Sequence, residues 1–549
     1  MDWFRKRTLG GLLDEAARRF GARPALVFDD RRWTYAEFAA ETDRVAKALI
    51  ALGIEPGERV ALWMTNRPEW LFLMYAIAKV GACIVPLNTR YRTDDVAYTV
   101  TQSRAATLIT LDRSGPVDYQ GMLMESMPGV IRHEDGTLRV ENYPDLRRLV
   151  VLGETRLAHV TGWDDFLAAG AGVSETELAA RAAAVDPDGM LMICYTSGTT
   201  GHPKGVVHSH RPIRNMMERA QIIGATAADV HMNYLPLFHI YAYSEISMLC
   251  VHAGSCQVLM DVFDADRALD LAEREGATVL HGFEAHWLDL LNAQAARPRS
   301  LRMRLGTLPS GVESTVPIAE KVQDVFGPTV SGFGMSETWA FIAISNPAHS
   351  REQRTHSSGY LMNDYEARIV DVESGREQPV GEPGELWIRG YAVMQGYWDK
   401  PDATADTLDT NGWLHTGDMA MVRPDGMLVF MGRYKDMLKV GGENVSPAEM
   451  EVYLRDMDEI LDAAVVAYPD PRLAEVPVAF VILRPGATLD EGAVLARLKG
   501  RVASFKIPRH VIFVEAFPMT SSGKIRKVEL RAEARQLLDD TNAAGAATR

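Results

Sequence analysis

The chain has 549 residues, 47% hydrophobic and 24% charged, a soluble globular composition with room for more than one domain at roughly 100–200 residues each. A net charge of −15 without a basic stripe excludes a nucleic-acid binder, so any phosphate chemistry falls to local basic residues. Cys83, Cys194, Cys250 and Cys256 form no C-x-x-C pair and no zinc spacing with histidine, and read as reduced core residues of a cytoplasmic protein.

The first residues, MDWFRKRTLGGLLDEAARRFG, hold only a short apolar patch before Asp14 and Glu15, so no secretory signal is expected. From Thr34 to Gly53 the signals agree on a helix: Thr34 and Glu37 make a capping box, Phe38, Val45, Leu49 and Leu52 share a face, and Gly53 ends it. Val60 to Met64 reads as a strand, Asn66 and Pro68 open a helix through Lys79, Gly81 closes it, and Ala82 to Val85 is a further strand. The most apolar run, Trp70 to Leu87, is broken by Lys79 and Gly81 and is not expected to span a membrane. Strands at Thr107 to Leu111, Leu149 to Leu152 and Leu191 to Cys194 continue the alternation, which implies an α/β fold with a largely parallel sheet covered by helices. Asp112 to Asn142 reads as polar loop.

After about Tyr360 the pattern becomes antiparallel, with strands at Glu366 to Val370 and Gly384 to Arg389 and a hairpin over Met419 to Met431 turning at Pro424 to Gly426. A domain boundary is expected at Gly432 to Asp436, dividing the chain into 1–432 and a small α+β unit, 433–549. In the small unit Ser446, Pro447 and Glu449 signal a capped helix. Strands at Ala463 to Ala467, Val478 to Leu483 and Val511 to Val514 and a last helix follow, and the Ala/Gly-rich tail reads as disordered.

The stretch Tyr195 to Val206, YTSGTTGHPKGV, carries three glycines, five hydroxyl residues and one lysine directly behind an apolar strand. Glycines let the backbone approach an anion, successive N–H groups form a concave donor nest, and Lys204 adds a full positive charge, so the loop suits a polyphosphate. It is no Walker loop, since Pro203 and Gly205 flank Lys204, and no dinucleotide fingerprint. A glycine-rich surface turn would account for the glycines but not for the hydroxyls and lysine beside them.

This loop resembles the phosphate loop of the adenylate-forming superfamily of acyl-CoA synthetases, nonribosomal peptide synthetase adenylation domains and luciferases. The resemblance implies that Thr196, Ser197, Gly198, Thr199, Thr200, Gly201 and Lys204 hold ATP. Gly332 to Thr338, GFGMSET, resembles the adenine segment (Gly332, Phe333, Gly334, Met335, Ser336), with Glu337 as the Mg²⁺ ligand. Gly412 to Asp418, GWLHTGD, read as a polar turn ending in Asp418, resembles the family segment whose aspartate binds both ribose hydroxyls, and Arg433 resembles its second nucleotide contact. Gly432 to Glu451 resembles the hinge and thiolation loop, with Lys435 as pivot and Lys439, Gly441, Gly442 and Glu443 facing CoA. Pro518 to Lys527, PMTSSGKIRK, resembles the loop whose lysine, here Lys524, neutralises charge as the carboxylate attacks the α-phosphate. Thr196 and His239 join Lys524 and Glu337 as implied catalytic residues.

In PLFHIYAYSE, Pro236 to Glu245, amino-acid-activating relatives carry an aspartate where this chain has His239, so an uncharged acyl group is implied. Tyr241, Phe283, Gly311 and Trp339 join His239 as candidate pocket walls, and their bulk favours a compact or medium-length acid. The expected activity is acyl-CoA synthesis in two half-reactions from a carboxylic acid, ATP with Mg²⁺, and CoA, with a place in fatty-acid metabolism, no nucleic acid, and a homodimer left open. Two rivals stand beside it: a ligase that passes its acyl group to a carrier protein, and a nucleotide-binding sensor without catalysis. Against the first stands the lack of a fused carrier module with a G-x-D-S serine; against the second, the joint presence of Lys204, Glu337, Asp418, Arg433 and Lys524.

Overall fold

The capping box at Thr34 forms as its residues require: Glu37 N donates to Thr34 Oγ1 at 3.2 Å and Thr34 N to Glu37 Oε2 at 2.8 Å. The helix Tyr35–Ala51 then turns Phe38, Val45 and Leu49 fully into the core. The computed structural model describes residues 5–546 except 128, 134–136, 158, 197–202, 312–314, 441–442, 446, 471–472, 500–501, 503–505 and 520–524. Side chains at 132, 435, 439, 443, 444, 449, 474 and 540–546 also lie outside that description.

Proline at its first turn opens the helix Pro68–Lys79, and from Trp70 to Ala78 no residue exceeds 4% exposure. The apolar run is therefore a central core helix, meeting Phe38 through Tyr75 and Tyr243 through Trp70. Its last residue, Lys79, is buried and paired, with Nζ 2.6 Å from Asp14 and 2.5 Å from Asp43. Among the described residues no helix is long and apolar enough to cross a membrane.

Two sheets flank this core. One runs through 161–162, 148–152, 107–111, 59–63, 83–86 and 190–196 in parallel, then adds 204–209 and 396–397 antiparallel. The other orders 329–330, 305–307, 279–281, 230–233, 256–259 and 24–28 in parallel and closes with the antiparallel strand 31–34. This is the α/β architecture that the strand–helix alternation implied. A four-stranded antiparallel sheet follows, Tyr365–Val370, Gly384–Gly390, Leu414–Val422 and Leu428–Arg433, with Gly426 at φ +87° in the PDG turn.

Residues 438–513 build a separate five-stranded sheet whose long hairpin, Ile460–Asp470 with Ala474–Leu483, alternates its side chains between two apolar layers. Val465, Ala479 and Val481 pack with Leu438, Met450 and Val494 on one face, while Val466, Val478 and Phe480 pack with Leu530 and Ala534 on the other.

Three sequence readings change. The span 112–142 is not all loop: Tyr119–Ser126 is a helix capped by Asp118, which accepts from Gly121 N at 2.9 Å, and at two turns it is too short to display a period. The tail is helical rather than disordered as far as Ala546, since its alanines propagate the helix Lys527–Ala546. Asp418 lies within a strand, not at the end of a turn. Ser446 lies outside the described residues, and the helix it was read to cap starts at Pro447.

Candidate active site

The strand Met190–Thr196 leads into the phosphate loop and the antiparallel strand Lys204–Ser209 leads out, so Thr196 and Lys204 are ladder partners at its neck. Ser197, Gly198, Thr199, Thr200 and Gly201 lie outside the described residues. A Cβ on Gly205 would fall 2.5 Å from Ile193 Cγ2 and 3.2 Å from the Tyr195 ring, so close strand packing requires glycine there. The Lys204 ammonium lies 4.7 Å from the centroid of the Tyr397 ring.

Gly332–Met335 is a strand, and a Cβ on Gly334 would sit 1.7 Å from the Ala340 carbonyl oxygen, so again no side chain fits. Phe333 is 6% exposed and packs 5.3 Å from Phe430. Ser336–Thr338 forms a short 3-10 turn, and Trp339 and Ala340 follow at φ +60° and +67°. Two successive non-glycine residues in the left-handed region are strained, and the surroundings must hold them. Thr338 Oγ1 accepts from Met335 N at 3.0 Å, His208 Nε2 donates to Ser336 O at 2.6 Å, and Trp339 Nε1 donates to Ser244 Oγ at 2.9 Å. Burial pulls the His208 imidazole down to about 4, so it is neutral and its proton sits on Nε2.

Within that turn Glu337 is 7% exposed, and its Oε1 accepts from the Tyr397 hydroxyl at 2.9 Å. Asp418 and Arg433 face each other across the hairpin as Cα partners, with Arg433 Nε 2.8 Å from Asp418 Oδ1. Arg433 also donates to the Thr416 carbonyl at 3.1 Å while 42% of its side chain stays exposed. Tyr434–Asp436, which contains Lys435, is a 3-10 turn, and Asp436 pairs with Arg531 of the C-terminal helix. Lys439 and Glu443 lie in the facing strands Leu438–Val440 and Glu443–Val445, whereas Gly441, Gly442 and Lys524 fall outside the described residues.

The segment PLFHIYAYSE folds into a π-helix over Tyr241–Met248, a wide turn often found at functional sites. The Tyr241 ring is 5.0 Å from Phe283 and 5.4 Å from Phe341, and its hydroxyl is 2.5 Å from Thr307 Oγ1. His239 is half-buried with its ring 4.5 Å from that of Phe238. Gly311 has φ +109°, a conformation few side chains adopt, and a Cβ there would meet Ser357 C at 3.1 Å. Trp339 has no exposed surface, its indole held edge-on between His208 and Tyr243.

Beneath this group lie residues the motifs did not mark. Arg219 Nε is 2.6 Å from Glu245 Oε2, and its other nitrogens donate to the Phe341 carbonyl at 3.2 Å and to Ser244 Oγ at 2.7 Å. Burial holds the Glu245 carboxyl above the usual range against the pull of that guanidinium. Tyr397 and Arg219 were missed because their partners are remote in sequence; the one local trace was Ser244 and Glu245 at the end of PLFHIYAYSE.

The arrangement brings together a phosphate-loop lysine, a carboxylate fixed by a phenol, a carboxylate–guanidinium pair beside a glycine-rich strand, and an aromatic cluster. Residues 13–398 match the family model described as AMP-binding enzyme and residues 449–524 that of its C-terminal domain. The chain is 35% identical to the putative acyl-CoA synthetase YngI of Bacillus subtilis, over 95% of this chain and 96% of that one. It is 36% identical, over 96% and 98%, to a Mycobacterium tuberculosis 3-[(3aS,4S,7aS)-7a-methyl-1,5-dioxo-octahydro-1H-inden-4-yl]propanoyl:CoA ligase. Among solved structures, the anthranilate CoA ligase AuaEII in complex with anthranoyl-AMP superposes with a TM-score of 0.85 at 26% identity, covering 97% of this chain and 98% of that one. The chain belongs to the AMP-binding enzyme family and is an ATP-dependent acyl-CoA synthetase.

Proposed function

We propose that this synthetase activates a carboxylic acid with an uncharged, compact acyl group, alicyclic, aromatic or of medium chain, on Mg-ATP and transfers the acyl group to CoA. The observation that carries the substrate class is the aromatic cluster of Tyr241, Phe283 and Phe341 next to a segment that holds His239 where an ammonium-binding aspartate would stand. An ammonium buried there would lack a carboxylate partner, and its desolvation would go uncompensated. The polycyclic acid in the name of the Mycobacterium tuberculosis relative supports the same class.

In the first half-reaction the carboxylate attacks the α-phosphate, with Lys204 and the loop from Thr196 to Gly201 holding the phosphates, Lys524 neutralising charge, and Asp418 and Arg433 holding the ribose. Glu337 fits a Mg²⁺ ligand. It is a buried carboxylate, and among the described residues no group of three or more acidic, histidine or cysteine side chains could hold a metal by itself. A cation there would complete its shell from phosphate oxygens and water, the usual habit of nucleotide-bound Mg²⁺, and would supply charge neutralisation.

For the second half-reaction the unit after residue 432 turns about Lys435, bringing Lys439, Gly441, Gly442 and Glu443 to the pantetheine arm. In support, Arg433 is tied to Asp418 and Thr416 on one side of the pivot, and Asp436 to Arg531 on the other. Four free, buried or half-buried cysteines support a reducing, cytoplasmic setting.

The test is pyrophosphate release across a panel of carboxylic acids, with and without CoA, followed by detection of the thioester. Alicyclic, aromatic and medium-chain acids should turn over and yield acyl-CoA. Robust exchange with a free amino acid as the sole carboxylate would overturn the substrate class. Acyl-adenylate that CoA never consumes, but a carrier protein does, would favour the rival acceptor.

A further inference from the structure

Tyr397 belongs to none of the motifs, yet it touches two of them. It lies in the two-residue strand Gly396–Tyr397 at the edge of the eight-stranded sheet, paired with the strand that leaves the phosphate loop. Backbone bonds fix that attachment: Gln395 N donates to Val207 O at 2.9 Å and Trp398 N to Gly205 O at 2.7 Å. On the other side Met394 N donates to the carbonyl of Glu337 itself at 2.8 Å. Residues 394–398 thus bridge the exit strand of the phosphate loop and the turn that presents Glu337.

The Tyr397 side chain repeats the bridge. Its hydroxyl donates to Glu337 Oε1 at 2.9 Å across 60 positions of sequence, while Lys204 stands 4.7 Å over its ring. The residue is 8% exposed, its amide donates to Thr404 Oγ1 at 2.9 Å, and Gly396 before it adopts φ +137°.

We propose that Tyr397 is a positioning residue for the cation-dependent half-reaction: its hydroxyl occupies one Glu337 oxygen and turns the other toward the cation, and its ring keeps Lys204 in register with it. The proposal rests on the reading of Glu337 as the Mg²⁺ ligand. A glutamate carries three side-chain torsions, and one charge-assisted hydrogen bond to a rigid, buried phenol removes most of that freedom before the cation arrives. The ring holds the ammonium by a contact that needs no hydroxyl, so the two roles are separable by substitution.

The experiment uses the full chain and two readouts. Mn²⁺ binding is titrated by electron paramagnetic resonance with a non-hydrolysable ATP analogue bound, and each half-reaction is timed separately. Tyr397→Phe keeps the ring and is expected to weaken Mn²⁺ about tenfold, the scale of lost outer-shell hydrogen bonds. It should leave the KM for ATP at saturating Mg²⁺ unchanged, along with thioester formation from supplied acyl-adenylate. Tyr397→Leu should raise the KM for ATP as well. Glu337→Gln is the reference: if it does not weaken Mn²⁺, the metal reading itself falls. If it does and Tyr397→Phe binds Mn²⁺ like the parent, or slows both half-reactions alike, Tyr397 is not a positioning residue for the cation.

Discussion

Arg219 and Glu245 form an ion pair at 2.6 Å with 0% and 5% of their side chains exposed, directly under the strained Trp339–Ala340 step. Arg219 binds the Phe341 carbonyl and shares Ser244 Oγ with the Trp339 indole, so the pair braces the wall of the aromatic cluster. Removing one member strands a buried charge, and Arg219→Met should cost about 3–5 kcal/mol in urea unfolding. Glu245→Gln leaves the guanidinium, which cannot shed its proton, buried without a countercharge and should cost at least as much. Parent-like stability of Arg219→Met would show that the pair braces nothing.

Acid should destabilise the protein through its buried imidazoles. Burial lowers His208, His210 and His231 to about 4 from 6.5. Below pH 6.5 the unfolded chain takes up protons that the folded one refuses, so their contribution is complete above that pH and is lost as pH falls toward 4. The slope is about 1.4 kcal/mol per pH unit for each group. His210 accepts the amide of Leu9 at 3.0 Å, and His210→Asn keeps an acceptor without the titration. The unfolding free energy of that variant should fall less steeply between pH 6.5 and 4 than that of the parent; parallel curves would contradict the assignment.

Asp418→Ala should raise the KM for ATP and leave kcat nearly intact, because ribose contacts contribute similarly to the ground and transition states. Arg433, exposed over 42% of its side chain, loses its partner at 2.8 Å in this variant, so Arg433→Ala, which removes the other member, should raise the KM for ATP as well. An Asp418→Ala enzyme with an unchanged KM for ATP would remove the ribose role.

Lys435→Pro should separate the half-reactions. Proline fixes φ near roughly −65°, within the 3-10 range for position 435 itself, and disfavours the α region for Tyr434 before it, so a large change of dihedrals at the pivot is restricted. Single-turnover adenylation should persist while most thioester formation is lost, read by quenched-flow assay of acyl-adenylate and acyl-CoA. Acyl-CoA at the parent rate would move the pivot elsewhere.

The sequence made legible what is written locally. Thr34 and Glu37 announce their helix because a capping box is complete within four residues, and the hydroxyl–glycine–lysine string names its ligand class because an anion needs donors packed together. Tyr397 was illegible for the opposite reason: a lone Gly-Tyr step says nothing until the sheet sets it against Glu337. Asp418 was misplaced because GWLHTGD has the composition of a turn, while the ladder with 428–433 makes it a strand. The helix Tyr119–Ser126 is too short for periodicity to reveal, and the Arg219–Glu245 pair joins two segments whose closeness only the packing decides.

The sheet of residues 438–513 has apolar layers on both faces, and among the described residues these layers cluster apart from the large core. On the proposed reading, acid preference and the thiol step then belong to separately packed parts of the chain. Exchange of the segment after residue 432 between relatives should transmit the rate of the thiol step but not the choice of acid, which makes this protein a natural donor for recombined ligases.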